Sequence, residues 1–179
     1  AFVNIYIEAR LQSEESLLVH GGASGVGTAA IQLASITGNP VFVTASSLEK
    51  VTACTRLGAE LAINYQKHDF VEKVLNYTHG NGVDVIMDMV AGSYMERNIQ
   101  ILKPKGRLVI ISTLGGVRTE IDLSELMRRR ARIIGSVLRN RSVSEKIEIK
   151  QRFMDLFWHH VLAGRILSVI DSVYPIGQA

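Results

Sequence analysis

Gly21, Gly22, Gly25 and Gly27 fall within the short run His20-Gly21-Gly22-Ala23-Ser24-Gly25-Val26-Gly27-Thr28. Without a Cβ, glycine lets a backbone turn tightly and approach a ligand closely. When such a turn opens a helix, the first amides and the positive end of the helix dipole face a bound anion. The chemistry this suits is binding of a pyrophosphate. The G-x-G-x-x-G spacing is met as Gly22-x-Ser24-x-x-Gly27, with serine at the middle position, where its hydroxyl is placed to donate to a phosphate oxygen or towards a nicotinamide. A dinucleotide cradle around Ser24, Gly25, Val26 and Gly27 is the expectation.

A second group of residues bears on which dinucleotide. An NAD site places Asp or Glu at the end of the second strand, where the carboxylate accepts from the ribose 2′-hydroxyl and repels a 2′-phosphate. The corresponding stretch here is Val43-Thr44-Ala45-Ser46-Ser47-Leu48-Glu49-Lys50, with no carboxylate at the turn itself. Ser46 and Ser47 stand at a helix start, where hydroxyls and free amides take an anion. Lys50 follows Ser46 by four residues and shares its helical face, and Tyr65 adds a phenolic donor after the third strand. Taken singly, each has an ordinary structural role as cap or solvated surface; taken together they favour NADPH.

These residues need a scaffold to hold them. Short β-rich apolar runs recur at Ser16 to His20, Val41 to Ala45, Leu61 to Asn64, Val83 to Met89, Arg107 to Thr113 and Ile133 to Leu138. Leu17-Leu18-Val19, Val85-Ile86-Met87 and Leu108-Val109-Ile110-Ile111 are apolar throughout, as strands covered on both faces are. Between the runs, Val26, Ala30, Leu33 and Ile36, then Val51, Cys54 and Leu57, fall near helical spacing. This alternation predicts an α/β fold: a doubly wound, parallel, six-stranded sheet of the Rossmann type. From about Ser144 a long helix is expected, with Ile147, Phe153, Leu156, Phe157 and Val161 as its apolar positions, ending near Gly164. The stretch from Ile166 to Ile176 looks strand-like.

Length and composition set bounds. A chain of 179 residues, 47% apolar and with three prolines, suits one domain, residues 1–179, with its core at about 10–142. A net charge of +3 does not announce nucleic acid, although Arg128-Arg129-Arg130-Ala131-Arg132 concentrates part of it. The single Cys54 excludes an intramolecular disulfide and a cysteine-rich zinc site and suits a reducing compartment, with cytoplasm as the expected location. No apolar stretch approaches the roughly 20 residues that span a bilayer. The first residues, Ala1-Phe2-Val3-Asn4-Ile5-Tyr6-Ile7-Glu8-Ala9, lack an initiator methionine and read as helix already under way, which suggests a piece of a longer protein.

The run Leu17 to Ala34 closely resembles the medium-chain dehydrogenase/reductase superfamily, specifically its zinc-free NAD(P)H:quinone oxidoreductases of the p53-inducible and zeta-crystallin-like type. The likeness continues through Gly82-Val83-Asp84-Val85-Ile86-Met87-Asp88-Met89-Val90-Ala91-Gly92, Gly106-Arg107-Leu108-Val109, Gly135 to Arg141 and Val169 to Pro175. The resemblance implies that Ser24, Gly25 and Val26 hold the pyrophosphate, that Ser46, Ser47, Lys50 and Tyr65 hold the 2′-phosphate, and that Val90 and Ala91 border the passage to the nicotinamide. Leu114, Gly115 and Gly116 would lie beside the nicotinamide, with Ser136 to Leu138 flanking it from the sixth strand, which in the superfamily also pairs across a dimer. It implies hydride transfer from NADPH to a quinone or related conjugated carbonyl, without metal. The family's N-terminal GroES-like domain and its last elements have no counterpart here, so a cofactor-binding half, inactive alone, is expected.

Other chemistries are less well supplied. Five scattered histidines and one cysteine show no zinc-ligand spacing, and His159 and His160, as helix neighbours, are expected to point apart. The cysteine ligand that zinc alcohol dehydrogenases place before the Rossmann strand is missing from Ala1 to Ser16. None of the five tyrosines is followed four residues later by lysine, as a short-chain dehydrogenase requires. An enoyl reductase of the same superfamily remains the alternative enzyme. A non-catalytic NADPH-binding or RNA-binding regulatory protein using Arg128 to Arg132 is the alternative outside enzymes, although no aromatic platform accompanies that run. Asp84 and Asp88 are expected to be polar ends of a strand, the first facing solvent.

Overall fold

Strands that are apolar throughout have to be covered on both faces, and the chain meets that demand in the computed structural model, which describes residues 1–178. β1 (Leu17–His20), β2 (Val41–Ala45), β3 (Leu61–Asn64), β4 (Val83–Asp88), β5 (Leu102–Ile110) and β6 (Arg132–Gly135) form one sheet in the order β3-β2-β1-β4-β5-β6. Every neighbouring pair is parallel. The connecting helices are α1 (Gly25–Ile36), α2 (Leu48–Arg56), α3 (Phe70–Tyr77), α4 (Met95–Ile101) and α5 (Leu123–Arg129), and α6 (Val143–Leu162) follows the sheet. The expected doubly wound, six-stranded α/β architecture is borne out.

The alternation of Cβ directions along each strand builds two cores. Leu17, Val19, Val43, Val85, Met87 and Val109 pack on one face with Ile31 of α1 and Cys54 of α2. Leu18, Phe42, Ile86 and Leu108 pack on the other with Phe70 and Val74 of α3 and Met95 of α4. A smaller cluster joins Phe2, Leu33 and Phe157, bringing α6 against α1. α6 starts with a capping box in which Ser142 Oγ accepts from the Glu145 amide and the Glu145 carboxylate accepts from the Ser142 amide, satisfying two donors of its open N-terminus. No helix among the described residues is long and apolar enough to cross a membrane.

Four segments differ from the sequence expectation. β5 begins at Leu102, well before Arg107, and pairs with Val83 before a register shift between Val83 and Val85. Pro104 and the left-handed Lys105 (φ 67°) mask that early start, since neither belongs to a regular strand pattern. β6 ends at Gly135 instead of Leu138, because Val137 and Leu138 have left the sheet and stand exposed. Residues 166–176 form no strand. Gln32 Nε2 donates to the Leu167 carbonyl at 3.0 Å and Gln32 Oε1 accepts from the Leu167 amide at 2.8 Å, and beyond this link Val169, Ile170 and Val173 are exposed. The first residues are helical, but as a π-helical turn at Val3–Glu8.

Candidate functional site

Strand order reverses between β1 and β4, so the loops that follow these strands leave the sheet towards opposite faces and open a crevice at its C-terminal edge. The glycine turn lies there. Gly21 has φ 71°, a conformation that glycine adopts without strain, and the Gly22 amide donates to the Thr44 carbonyl at 2.9 Å, tying the turn to β2. Ser24 is the N-cap of α1: its Oγ accepts from the Gly27 amide at 3.0 Å, which leaves its own proton free to donate. The amides of Gly25 and Val26, in the first turn, precede any helical carbonyl that could accept from them. The glycines serve different ends. A Cβ on Gly25 would meet nothing within 4 Å, whereas one on Gly27 would lie 2.3 Å from the Gly21 carbonyl oxygen.

Two cavities flank this helix start. One, of about 240 Å³, is lined by Gly21, Ala23, Ser24, Ala45, Ser46, Lys50 and Tyr65. Lys50 Nζ donates to Ser46 Oγ at 3.4 Å across it. Ser47 is the N-cap of α2, accepting from the Lys50 amide at 3.2 Å, and does not line the cavity. The other cavity, of about 600 Å³, is bordered by Val26, Ile111, Ser136, Val137 and Leu138 and by Val3 and Asn4 of the first helical turn. Ser136 Oγ donates to Asn4 Oδ1 at 2.7 Å.

Val90, Leu114, Gly115 and Gly116 line neither cavity but form a joined pair of loops after β4 and β5. The Gly115 amide donates to the Val90 carbonyl at 2.6 Å, and the Leu114 amide to that of Met89 at 3.2 Å. Ala91, at φ 54° and ψ −141°, holds a conformation that a residue with a Cβ rarely adopts. The structure thus gathers Ser24, Ser46, Lys50 and Tyr65 at one end of the crevice and Val26, Ser136 and Leu138 at the other, with the Val90 and Leu114 loops beside them.

Behind the turn runs a buried polar chain, of which the sequence marked only Asp88, as a polar strand end. His20 Nδ1 lies 3.0 Å from Thr44 Oγ1 and Nε2 lies 2.7 Å from Asn98 Oδ1; Asn98 Nδ2 donates to Asp88 Oδ2 at 2.9 Å. Asp88 also accepts from the amides of Val90 at 2.7 Å and Ala91 at 3.1 Å. The polar end expected at Asp88 is therefore buried, and Asp84 does not face solvent as expected. It is largely covered and accepts from the Ser16 amide and from Lys103 Nζ. The available signal was a histidine closing a wholly apolar strand, since a buried imidazole requires partners.

Burial pushes His20 below its ordinary pKa, with Asp88 and the Asn98 bond opposing and Arg97 reinforcing the shift. The folded chain then binds fewer protons at this ring than the unfolded chain does. Stability is intact above about pH 6.5 and lost as pH falls below it. Urea unfolding is expected to show this loss between pH 7.5 and 5.5, at no more than about 1.4 kcal/mol per pH unit from this residue. His20→Gln should remove that component. An unchanged slope would show that His20 does not cause it.

Among the described residues no three His, Cys, Asp or Glu side chains gather as a metal site. Contrary to expectation, the rings of His159 and His160 lie together, with centroids 4.0 Å apart. In the arginine run, Arg128 and Arg129 both pair with Glu125, while Arg130 caps α5 in a left-handed conformation. Those three residues are therefore divided among pairing and capping roles, and Arg132 opens β6.

The quinone oxidoreductase of Rattus norvegicus is 30% identical over 175 residues, 98% of this chain and 51% of that protein. The chain thus spans about half the length of this curated relative. Among solved structures, a 2-haloacrylate reductase superposes with a TM-score of 0.82 at 27% identity, covering 92% of this chain and 51% of that one. A chain described as the putative enoyl reductase domain of a polyketide synthase superposes with a TM-score of 0.77 at 27% identity, covering 97% of both. The zinc-binding dehydrogenase family model matches residues 25–157. That match runs from the first turn of α1 into α6 and takes in β2 to β6, and the chain belongs to the zinc-binding dehydrogenase family, within the medium-chain dehydrogenase/reductase superfamily that its motifs resemble.

Proposed function

We propose that the chain is the NADPH-binding domain of a quinone oxidoreductase, in which hydride passes from NADPH to a quinone or related conjugated carbonyl. The observation that carries this reading is the cavity where Ser24 meets Ser46, Lys50 and Tyr65, which offers hydroxyls and an ammonium and has no carboxylate in its lining. Such a donor set fits a phosphate and lacks the acceptor that a free ribose 2′-hydroxyl calls for. NADPH, when bound, supplies the hydride. The chain's own residues hold and orient it: the Gly25 and Val26 amides and the Ser24 hydroxyl at the pyrophosphate, and Ser46, Lys50 and Tyr65 at the 2′-phosphate. Val26, Ser136 and Leu138, with Val90 and Leu114 to Gly116, shape the nicotinamide end and limit the water there. The similarity to the rat quinone oxidoreductase supports the choice of acceptor.

Residues 1–179 act in this reading as one cofactor-binding domain, and the acceptor is held by a part of the full-length protein outside them. The protein works in the cytoplasm, and two copies pair along the outer edge of β6, which has no neighbouring strand among the described residues. Calorimetric titration of the full-length protein with NADPH and NADH, followed by a quinone reduction assay, tests the proposal. Lys50→Ala is expected to weaken NADPH about tenfold and to leave NADH within about twofold, the equivalent of one lost charge-assisted contact. Equal losses for both cofactors would sink the phosphate assignment.

A second reading, reduction of an α,β-unsaturated thioester, is favoured by the near-complete superposition on the polyketide synthase domain. Assaying quinone and 2-enoyl thioester side by side separates the two readings, because turnover of the thioester alone would favour the second.

A further inference from the structure

The chain His20–Asn98–Asp88 has a single consistent polarity. A carboxylate only accepts, so Asn98 turns its NH₂ to Asp88 and its oxygen to His20. His20 therefore carries its proton on Nε2 and presents Nδ1 as an acceptor to the Thr44 hydroxyl, whose oxygen in turn lies 3.4 Å from the Gly21 amide. Donation runs in one direction, from the phosphate turn through β2, β1 and α4 to Asp88 at the end of β4. Each of His20, Thr44, Asn98 and Asp88 is almost fully buried. At the far end, Asp88 accepts from the amides of Val90 and Ala91, and the Val90 carbonyl accepts from Gly115 at 2.6 Å. The carboxylate thus holds the loop after β4, including Ala91 in its unfavourable conformation, and through the Val90 carbonyl that loop bonds the one after β5, which the Leu114 amide also ties to Met89. Next to it, Gly92 lets the two loops pack in close contact: a Cβ there would lie 2.2 Å from the Gly115 carbonyl oxygen.

We propose that Asp88 is a positioning residue for the nicotinamide half of the site, and that the buried chain to Gly21 fixes the Val90–Ala91 and Leu114–Gly115 loops relative to the phosphate turn. This rests on the cofactor reading above. Asp88 touches none of the proposed cofactor contacts at Ser46, Lys50 or Tyr65, so its loss should act on one end of a bound dinucleotide and spare the other.

The test uses two ligands on the full-length protein, NADPH and 2′-phospho-ADP-ribose, the same molecule without its nicotinamide. Asp88→Asn keeps the shape but offers one oxygen to three donors, so an NH₂ group must face a backbone N–H. NADPH affinity is expected to fall about tenfold, corresponding to about 1.4 kcal/mol, and 2′-phospho-ADP-ribose affinity to stay within about twofold. A residue that only maintained the fold would weaken both ligands together, and equal losses, or no loss for either, would overturn the inference. Should Asp88→Asn fail to fold, Asn98→Ser, which breaks the link to His20 and leaves the two amide bonds of Asp88 in place, is read in the same assay. It is expected to show a smaller loss confined to NADPH, and an equal or absent loss again overturns the inference. Failure of the unaltered protein to bind either ligand would instead overturn the cofactor reading beneath it.

Discussion

Replacing Gly27 with valine is expected to abolish measurable NADPH binding, a loss of at least about a hundredfold, and to cost about 3 kcal/mol or more of stability. The reason is geometric. A Cβ at position 27 would lie 2.3 Å from the Gly21 oxygen and 2.7 Å from the Gly22 oxygen, and both are backbone atoms of the turn, which cannot rotate away as a flexible side chain could. Valine adds a branched Cβ to that clash in the first turn of α1. The helix must then withdraw from the turn, and with it goes the Ser24 cap on the Gly27 amide. Gly25→Ala is the matched control, because its Cβ would stand in open space. That variant should keep its stability within about 0.5 kcal/mol and still bind NADPH more weakly, since the methyl occupies ligand space. Denaturant unfolding and cofactor titration of both variants check the pair. Normal binding by Gly27→Val would show that the turn is not the cradle.

The second large effect is expected at Phe70, which is fully buried and holds the wall of the polar chain. Its ring centroid lies 4.9 Å from that of His20 and 5.0 Å from that of Tyr94, and the Arg97 guanidinium sits over the ring, 4.2 Å from its centroid. Phe70→Ala should cost about 3–5 kcal/mol, the range for removing a buried aromatic ring, with the slope of ΔG against urea unchanged. The cavity left behind is bordered by an imidazole and admits water where an apolar one would stay dry. The pKa of His20 should therefore climb back towards its ordinary value. The acid-side loss of stability described above should flatten in this variant, and titration of the His20 ring by NMR follows the change directly. A loss under about 1 kcal/mol would show that the site collapses around the missing ring.

Much of the fold was legible in the residues, for identifiable reasons. Val41–Ala45 and Leu61–Asn64 have in the structure the same bounds their apolar runs suggest, because each is a short strand with clear turn residues on either side. The early part of β5 was hidden because Pro104 and Lys105 interrupt its pattern, and because its pairing with Val83 precedes a register shift that no local periodicity encodes. Residues 166–176 misled in the opposite sense: β-branched residues and alternation describe a surface that suits a sheet, but a strand needs a neighbour to bond to. At the candidate site, the grouping of Ser24, Ser46, Lys50 and Tyr65 around one cavity was readable, because each lies just beyond the end of a strand in sequence order. Thr44 and Asn98 were not, and Asp88 showed only as a polar strand end, since their link arises only where β2, β1, α4 and β4 meet.

Gln32 meets Leu167 with both atoms of one carboxamide, mimicking the paired bonds that a neighbouring strand would make. Both bonds depend on one side chain, so the whole fastening rests on a single residue of α1. Gln32 sits in α1, the helix whose N-terminus follows the glycine turn. One helix thus carries the glycine turn at its start and the anchor of the C-terminal segment two turns later.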